Sequence, residues 1–135
     1  MYVLIFILHL PLETTYPLQL TIKGEIKGLQ YQGIKTDQYL QGFYIRNANL
    51  TNGRPSWTHE SIGRIVILFD DANEKWQVAV FKNGQHVSVL RSSTSPDNSV
   101  PHEAKNWEYH NQNNDKWYMS SDISIERGNP YVVKS

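Results

Sequence analysis

The chain has no cysteine among its 135 residues, so no disulfide, thiolate nucleophile or zinc–thiolate site can form. A disulfide-dense secreted scaffold is excluded, although secretion itself is not. An excess of either charge is missing too. Thirteen Lys and Arg meet 13 Asp and Glu, for a formal net charge of zero. Nucleic-acid binders and polybasic membrane surfaces both rely on a basic excess, and neither partner is expected. Zero net charge also removes long-range repulsion between copies, which permits self-association. The longest apolar run falls well short of the roughly 20 residues that a membrane-spanning helix needs, so no membrane span is expected.

Catalytic patterns are likewise missing. His9, His59, His86, His102 and His110 show no His-x-x-x-His spacing of the kind that places two imidazoles on one metal. The chain contains neither a Gly-x-Ser-x-Gly elbow nor a phosphate loop. Asp70 and Asp71 are adjacent carboxylates, but they sit between two strand-like runs, where Asp serves as a turn former. The reading is a non-enzymatic chain without metal or cofactor.

What the sequence does hold is aromatic and β-branched residues in a period of two. Four Trp, eight Tyr and four Phe supply the large apolar surfaces of a core. The length is that of one ordinary domain, about 100–150 residues. Leu18, Leu20 and Ile22 alternate with Gln19, Thr21 and Lys23, which predicts a half-buried strand. Residues 40–46 (LQGFYIR) read as another. Residues 63–91 predict a three-stranded meander: RIVILFD, a loop over residues 70–74, KWQVAVF, an Asn83-Gly84 turn, and HVSVLR. Asn-Gly is the strongest short hairpin signal, because a type I′ turn needs positive φ at both central residues. In the middle strand Trp76, Val78 and Val80 share one face; in the return strand Val87 and Val89 share one. Residues 92–100 form a polar loop. Short strands with frequent turns predict an all-β antiparallel sandwich or barrel.

Residues 1–12, MYVLIFILHLPL, divide as Val3, Ile5 and Ile7 on one face and Leu4, Phe6 and Leu8 on the other. As a secretory signal the run lacks a preceding basic residue and a following small-x-small site. As a strand it is apolar on both faces and belongs inside a sheet. Residues 13–17 then act as a short linker and 18–135 as a single β-domain. The strand either packs in its own core or is donated to a neighbouring copy.

The order Gly42-x-Tyr44, Asn52-Gly53-Arg54-Pro55 with Trp57, the apolar 65–69 strand, Trp76, the Ser-rich 92–96 stretch and Trp107 resembles an uncharacterised β-repeat module of extracellular proteins from aquatic eukaryotes. The likeness spans about three-fifths of the chain. It departs after Trp76, where the module is Gly- and Tyr-rich and this chain reads VAVFKNGQHVSVL. The resemblance implies an extracellular or cell-surface part with a structural or binding role. In that setting Asn49-Leu50-Thr51 is an N-glycosylation sequon.

Two functions from different classes follow. One is a structural protein that self-assembles into a homo-oligomer, filament or helical polymer by donating Val3, Leu4, Ile5, Phe6, Ile7 and Leu8 as a strand. The other is a monomeric carbohydrate-binding or adhesion module. There Trp107, Tyr109, Trp117 and Tyr118, with neighbouring Asn111, Asn113, Asn114 and Asp115, would cover sugar C–H faces and bond hydroxyls. For Arg54 the expectation is a cation–π contact on Trp57 or Trp76.

Overall fold

The alternating residues form antiparallel β-structure throughout the computed structural model, which describes residues 16–24, 30–31, 34–35, 40–95 and 99–128. The apolar run 1–12 and residues 13–15 of the linker lie outside them. The elements are β1 (Gln19–Lys23), β2 (Gln30–Tyr31), β3 (Ile34–Lys35), β4 (Gly42–Arg46), β5 (Trp57–His59), β6 (Ile65–Asp70), β7 (Lys75–Lys82), β8 (Gln85–Arg91), a 3₁₀ turn η1 (Pro101–Glu103), β9 (Glu108–Asn111), β10 (Lys116–Met119) and β11 (Ser124–Arg127). Nine of the strands make one curled antiparallel sheet, a half-barrel, in the order β10-β9-β8-β7-β6-β5-β4-β1-β11; β2 and β3 pair with each other. The expected all-β antiparallel fold is therefore present, as one curled sheet with two ends.

The core fills the inner face. Ile65, Ile67 and Phe69 of β6 stand opposite Val80, Val78 and Trp76 of β7, and all six are buried. Trp76 meets Phe69 and Trp57 edge-on, with ring centroids 5.1 and 6.0 Å apart, the geometry that the aromatic quadrupole favours. Asn83 and Gly84 have φ of 50° and 77°, as the predicted type I′ turn requires. The loop at residues 70–74 is held by Asp70, whose carboxylate accepts the Ala72 N–H (3.1 Å) and the Asn73 amide (2.7 Å).

Four details depart from simple alternation. In β1 the core-facing pair Leu20 and Ile22 is buried as read, but Leu18 is exposed and Gln19 is buried. Along the β7–β8 ladder the register shifts between Val78 and Ala79 of β7, so Val78 opposes Leu90 while Ala79 opposes Ser88 and Val89 is the extra residue in β8. This β-bulge leaves Val89 and Leu90, adjacent in sequence, both in the core. Arg54, expected on Trp57 or Trp76, stacks on Phe69, 4.3 Å from its centroid. The fourth departure is that the serines of the polar loop do core work. Ser92 is buried and its hydroxyl accepts the Trp76 N–H (3.1 Å), while Ser99 takes the Trp76 indole N–H (2.9 Å).

A second polar anchor holds β4 and β5 together. His59 accepts the N–H groups of Ser61 and Ile62 at Nδ1, both at 3.0 Å, and its Nε2 lies 2.8 Å from the Gln41 carbonyl. Two donors on Nδ1 place the ring proton on Nε2, where it donates to Gln41. A Cβ on Gly42 would stand 3.2 Å from that nitrogen, and Gly42 has φ of 117°, so glycine suits this position on both counts.

Candidate interaction site at the sheet edge

A curled sheet that ends has two edges, and each presents one row of unpaired backbone groups. Here the end strands are β10 and β11, and among the described residues each pairs on one side alone. The two differ in chemistry. Beside β11 lies η1. Its solvent-facing residues are Ser124, Glu126 and Arg127, with Glu126 bridged to Lys23 at 2.7 Å. The β10 strand reads Lys-Trp-Tyr-Met, with Tyr118 38% and Met119 61% exposed.

Ladder phase determines which β10 groups are open. Ser120 donates its N–H to the Trp107 carbonyl at 2.9 Å, and bonded pairs alternate along an antiparallel ladder. Tyr118–Tyr109 and Lys116–Asn111 are then bonded pairs in the observed register. The N–H and C=O of Trp117 and Met119 point away from β9, toward the open side.

The same register separates the four aromatic residues that the sequence grouped. Trp107 is a core residue, 3% exposed. Tyr109 opposes Leu90 on the inner face and stacks with Tyr118 at 5.7 Å. Trp117 opposes His110 on the outer face, with ring centroids 5.1 Å apart. One surface cannot hold all four. Asn113 and Asn114 instead shape the β9–β10 turn, where the Asn111 carboxamide accepts the Asn113 N–H (2.9 Å) and that of Asn114 accepts the Lys116 N–H (3.1 Å). Asn49 stands exposed in the β4–β5 loop.

Trp117 gains a different set of neighbours. The Arg91 guanidinium lies 4.0 Å from its centroid and is anchored by Glu108 at 2.9 Å. With Asp70, Asn73, Lys75 and Gln77, the pair lines a cavity of about 150 Å³ on the outer face. The cavity is smaller than ordinary ligand pockets, about 300–1,000 Å³, and more polar. Sequence reading missed this set because it spans four strands.

A larger cavity, about 430 Å³, opens between η1 and the chain linking β10 to β11, with Trp107, Met119, Ile123 and Ile125 on its walls. His102 also lines it. Burial is the main cause that lowers the His102 pKa below the usual imidazole range; Glu103 opposes the shift and Arg127 adds to it. Among the described residues, buried Trp107 Nε1 and His102 Nδ1 have no hydrogen-bond partner.

Among the described residues no group of three His, Asp or Glu side chains is placed to hold a metal, and no helix is long and apolar enough to cross a membrane. Comparison of the chain with protein-family models, curated proteins and solved structures found no match.

Proposed function

We propose that the chain is a non-enzymatic, extracellular structural protein that assembles by strand addition, residues 3–8 of one copy pairing with the sheet of the next. The observation that carries this reading is the open sheet: a nine-stranded half-barrel whose end strands each pair on one side among the described residues. Backbone groups at such an edge accept an added strand, and pockets beside it take alternate side chains. A head-to-tail contact that does not close on itself builds a filament. Burying one Val, Leu, Ile or Phe contributes about 1.5–3 kcal/mol. Six of them together rival the whole stability of a typical domain, roughly 5–15 kcal/mol. The extracellular setting rests on the β-repeat resemblance and on the exposed Asn49 sequon. Size-exclusion chromatography and negative-stain imaging of the chain with and without residues 1–12 test the reading. Assemblies that vanish on deletion support it; assemblies that persist overturn it.

The outer-face cavity favours a second reading, glycan binding, with Trp117, Gln77 and Asn73 as contacts. Wild-type protein would then bind on a glycan array and Gln77→Ala would lose the signal without losing assembly. A silent array removes this reading.

A further inference from the structure

We infer that Asn52 is a site of spontaneous deamidation in the folded chain, whereas Asn83, in the same dipeptide and the same kind of turn, is kept intact by the β7–β8 ladder. The chemistry is intramolecular. The backbone nitrogen of the following glycine attacks the Asn Cγ, the carboxamide nitrogen leaves as ammonia, and a five-membered imide closes. Water then opens the imide at either carbonyl, giving Asp or a β-linked isoaspartate. The net exchange is water in and ammonia out. The attacking nitrogen must first lose its proton, so the rate climbs with pH.

Both Asn-Gly pairs of the chain, Asn52-Gly53 and Asn83-Gly84, are exposed. A β-carbon on either glycine would meet nothing within 4 Å, so water has free access. The backbones match as well, with φ of 55° and 77° in one turn and 50° and 77° in the other. That geometry is itself a lock. The first central residue of a type I′ turn has ψ of roughly +30°, which holds the next nitrogen roughly 150° from Cβ about the Cα–C bond. Ring closure needs the two nearly eclipsed. Neither Asn reacts until its turn opens, and the cost of opening sets the rate.

The two costs differ. Thr51–Arg54 is an isolated bridge in the β4–β5 loop, held by two backbone bonds of 2.8 and 3.1 Å. Beneath it the Asn47 N–H bonds the Ser56 carbonyl at 2.8 Å and closes the loop independently. Opening the turn therefore leaves Arg46–Trp57, Ile45–Thr58 and Tyr44–His59 paired. Arg54 is tethered through its side chain, on Phe69 and Asp71, and not through a strand. Lys82–Gln85, by contrast, is the end rung of a ladder that continues through Phe81–His86, Val80–Val87 and Ala79–Ser88. Phe81 and His86 meet edge-on at 5.1 Å, and the Phe81 N–H bonds the Arg64 carbonyl at 2.7 Å. Turning ψ at Asn83 pulls against all of these.

The product also fits the first site better. Isoaspartate lengthens the main chain by an atom, which the 47–56 loop absorbs and the β7–β8 rung does not. Each conversion adds a carboxylate to a chain whose formal charge is zero, so the surface gains negative charge with time alone.

The test incubates the folded full chain at mildly alkaline pH and follows both sites by peptide mass mapping, fragment ions placing the amide-to-acid mass gain. Asn52 should convert at least about tenfold faster than Asn83, a ratio equal to about 1.4 kcal/mol of extra opening cost at the ladder. In urea, with the fold removed, the two rates should converge, because the dipeptides are identical. Asn52→Gln would have to close a six-membered ring, and it should abolish the early acidic shift on isoelectric focusing. Asn52→Asp carries the product's charge from the start and should shift no further; thermal unfolding checks that both variants are folded. Equal rates in the folded chain, faster conversion at Asn83, or a gap that persists in urea overturns the protection by the ladder. An early acidic shift that survives in both variants overturns the site.

Discussion

The β6–β8 meander and the β9–β10 hairpin use the same ingredients, Trp in a strand and an Asn-rich turn, and arrive at opposite ends. Trp76 lies in a strand paired on both sides and is wholly buried; Trp117 lies in an end strand and is only partly buried. The meander turns through Asn83-Gly84, where glycine accepts positive φ without strain. In the hairpin the positive φ, 57°, falls on Asp115, which also bonds His110 at 2.7 Å. A tryptophan is thus a core residue on the inner face of the sheet and a partly exposed one on the outer face. Composition alone does not decide it.

Substitutions can break that contrast. Trp76→Ala should destabilise the fold by about 3–5 kcal/mol, as large aromatic truncations in a core do. Trp117→Ala should give up little more than its exposed stacking on Arg91, about 0.5–1 kcal/mol. Urea titrations measure both, and equal losses would abolish the distinction. At the turns, Gly84→Ala puts a β-carbon at φ of 77° and should cost about 1 kcal/mol. Asp115→Gly relieves backbone strain while losing the exposed His110 contact, so its midpoint should stay within about 0.5 kcal/mol of wild type.

The smallest expected effect sharpens the comparison at the seam beyond β10. His102 titrates below its usual value in the folded chain because burial disfavours the imidazolium. As pH falls through about 6.5, the ordinary imidazole value, the unfolded chain takes up the proton first. The contribution of neutral His102 is present above that point and is lost as pH falls toward the folded pKa. Melting temperature recorded between pH 7 and pH 5 should therefore drop less for His102→Gln than for wild type. Parallel curves would show that the seam does not sense protons through this residue.

Much of the fold was readable because local signals agreed: Asn-Gly at a hairpin, β-branched alternation in β6 and β7, Asp70 opening a loop. The misread features depend on partners that sequence does not name. Arg54 finds Phe69 because β6 lies next to β5 in the sheet. The serines at 92 and 99 look like loop filler until Trp76 needs two acceptors. The proposed sugar cluster overlooked a rule already available, since neighbours such as Trp117 and Tyr118 on one strand must face opposite ways. Which strands end the sheet was beyond reading, because strand order decides which strand is last.

The extra residue in β8 carries an evolutionary consequence. Shortening a strand by one position ordinarily turns every later side chain inside out. Removing Val89 would instead let Leu90 follow Ser88 opposite Val78, with Arg91 still opposite Gln77, so the shortened ladder becomes regular and keeps both residues on their present sides. This strand can lose a codon there and forfeit one valine's packing, whereas the same loss at Val80 in β7 would scramble its pairing with both neighbours. Length variation among descendants of this chain has a harbour inside its most ordered region.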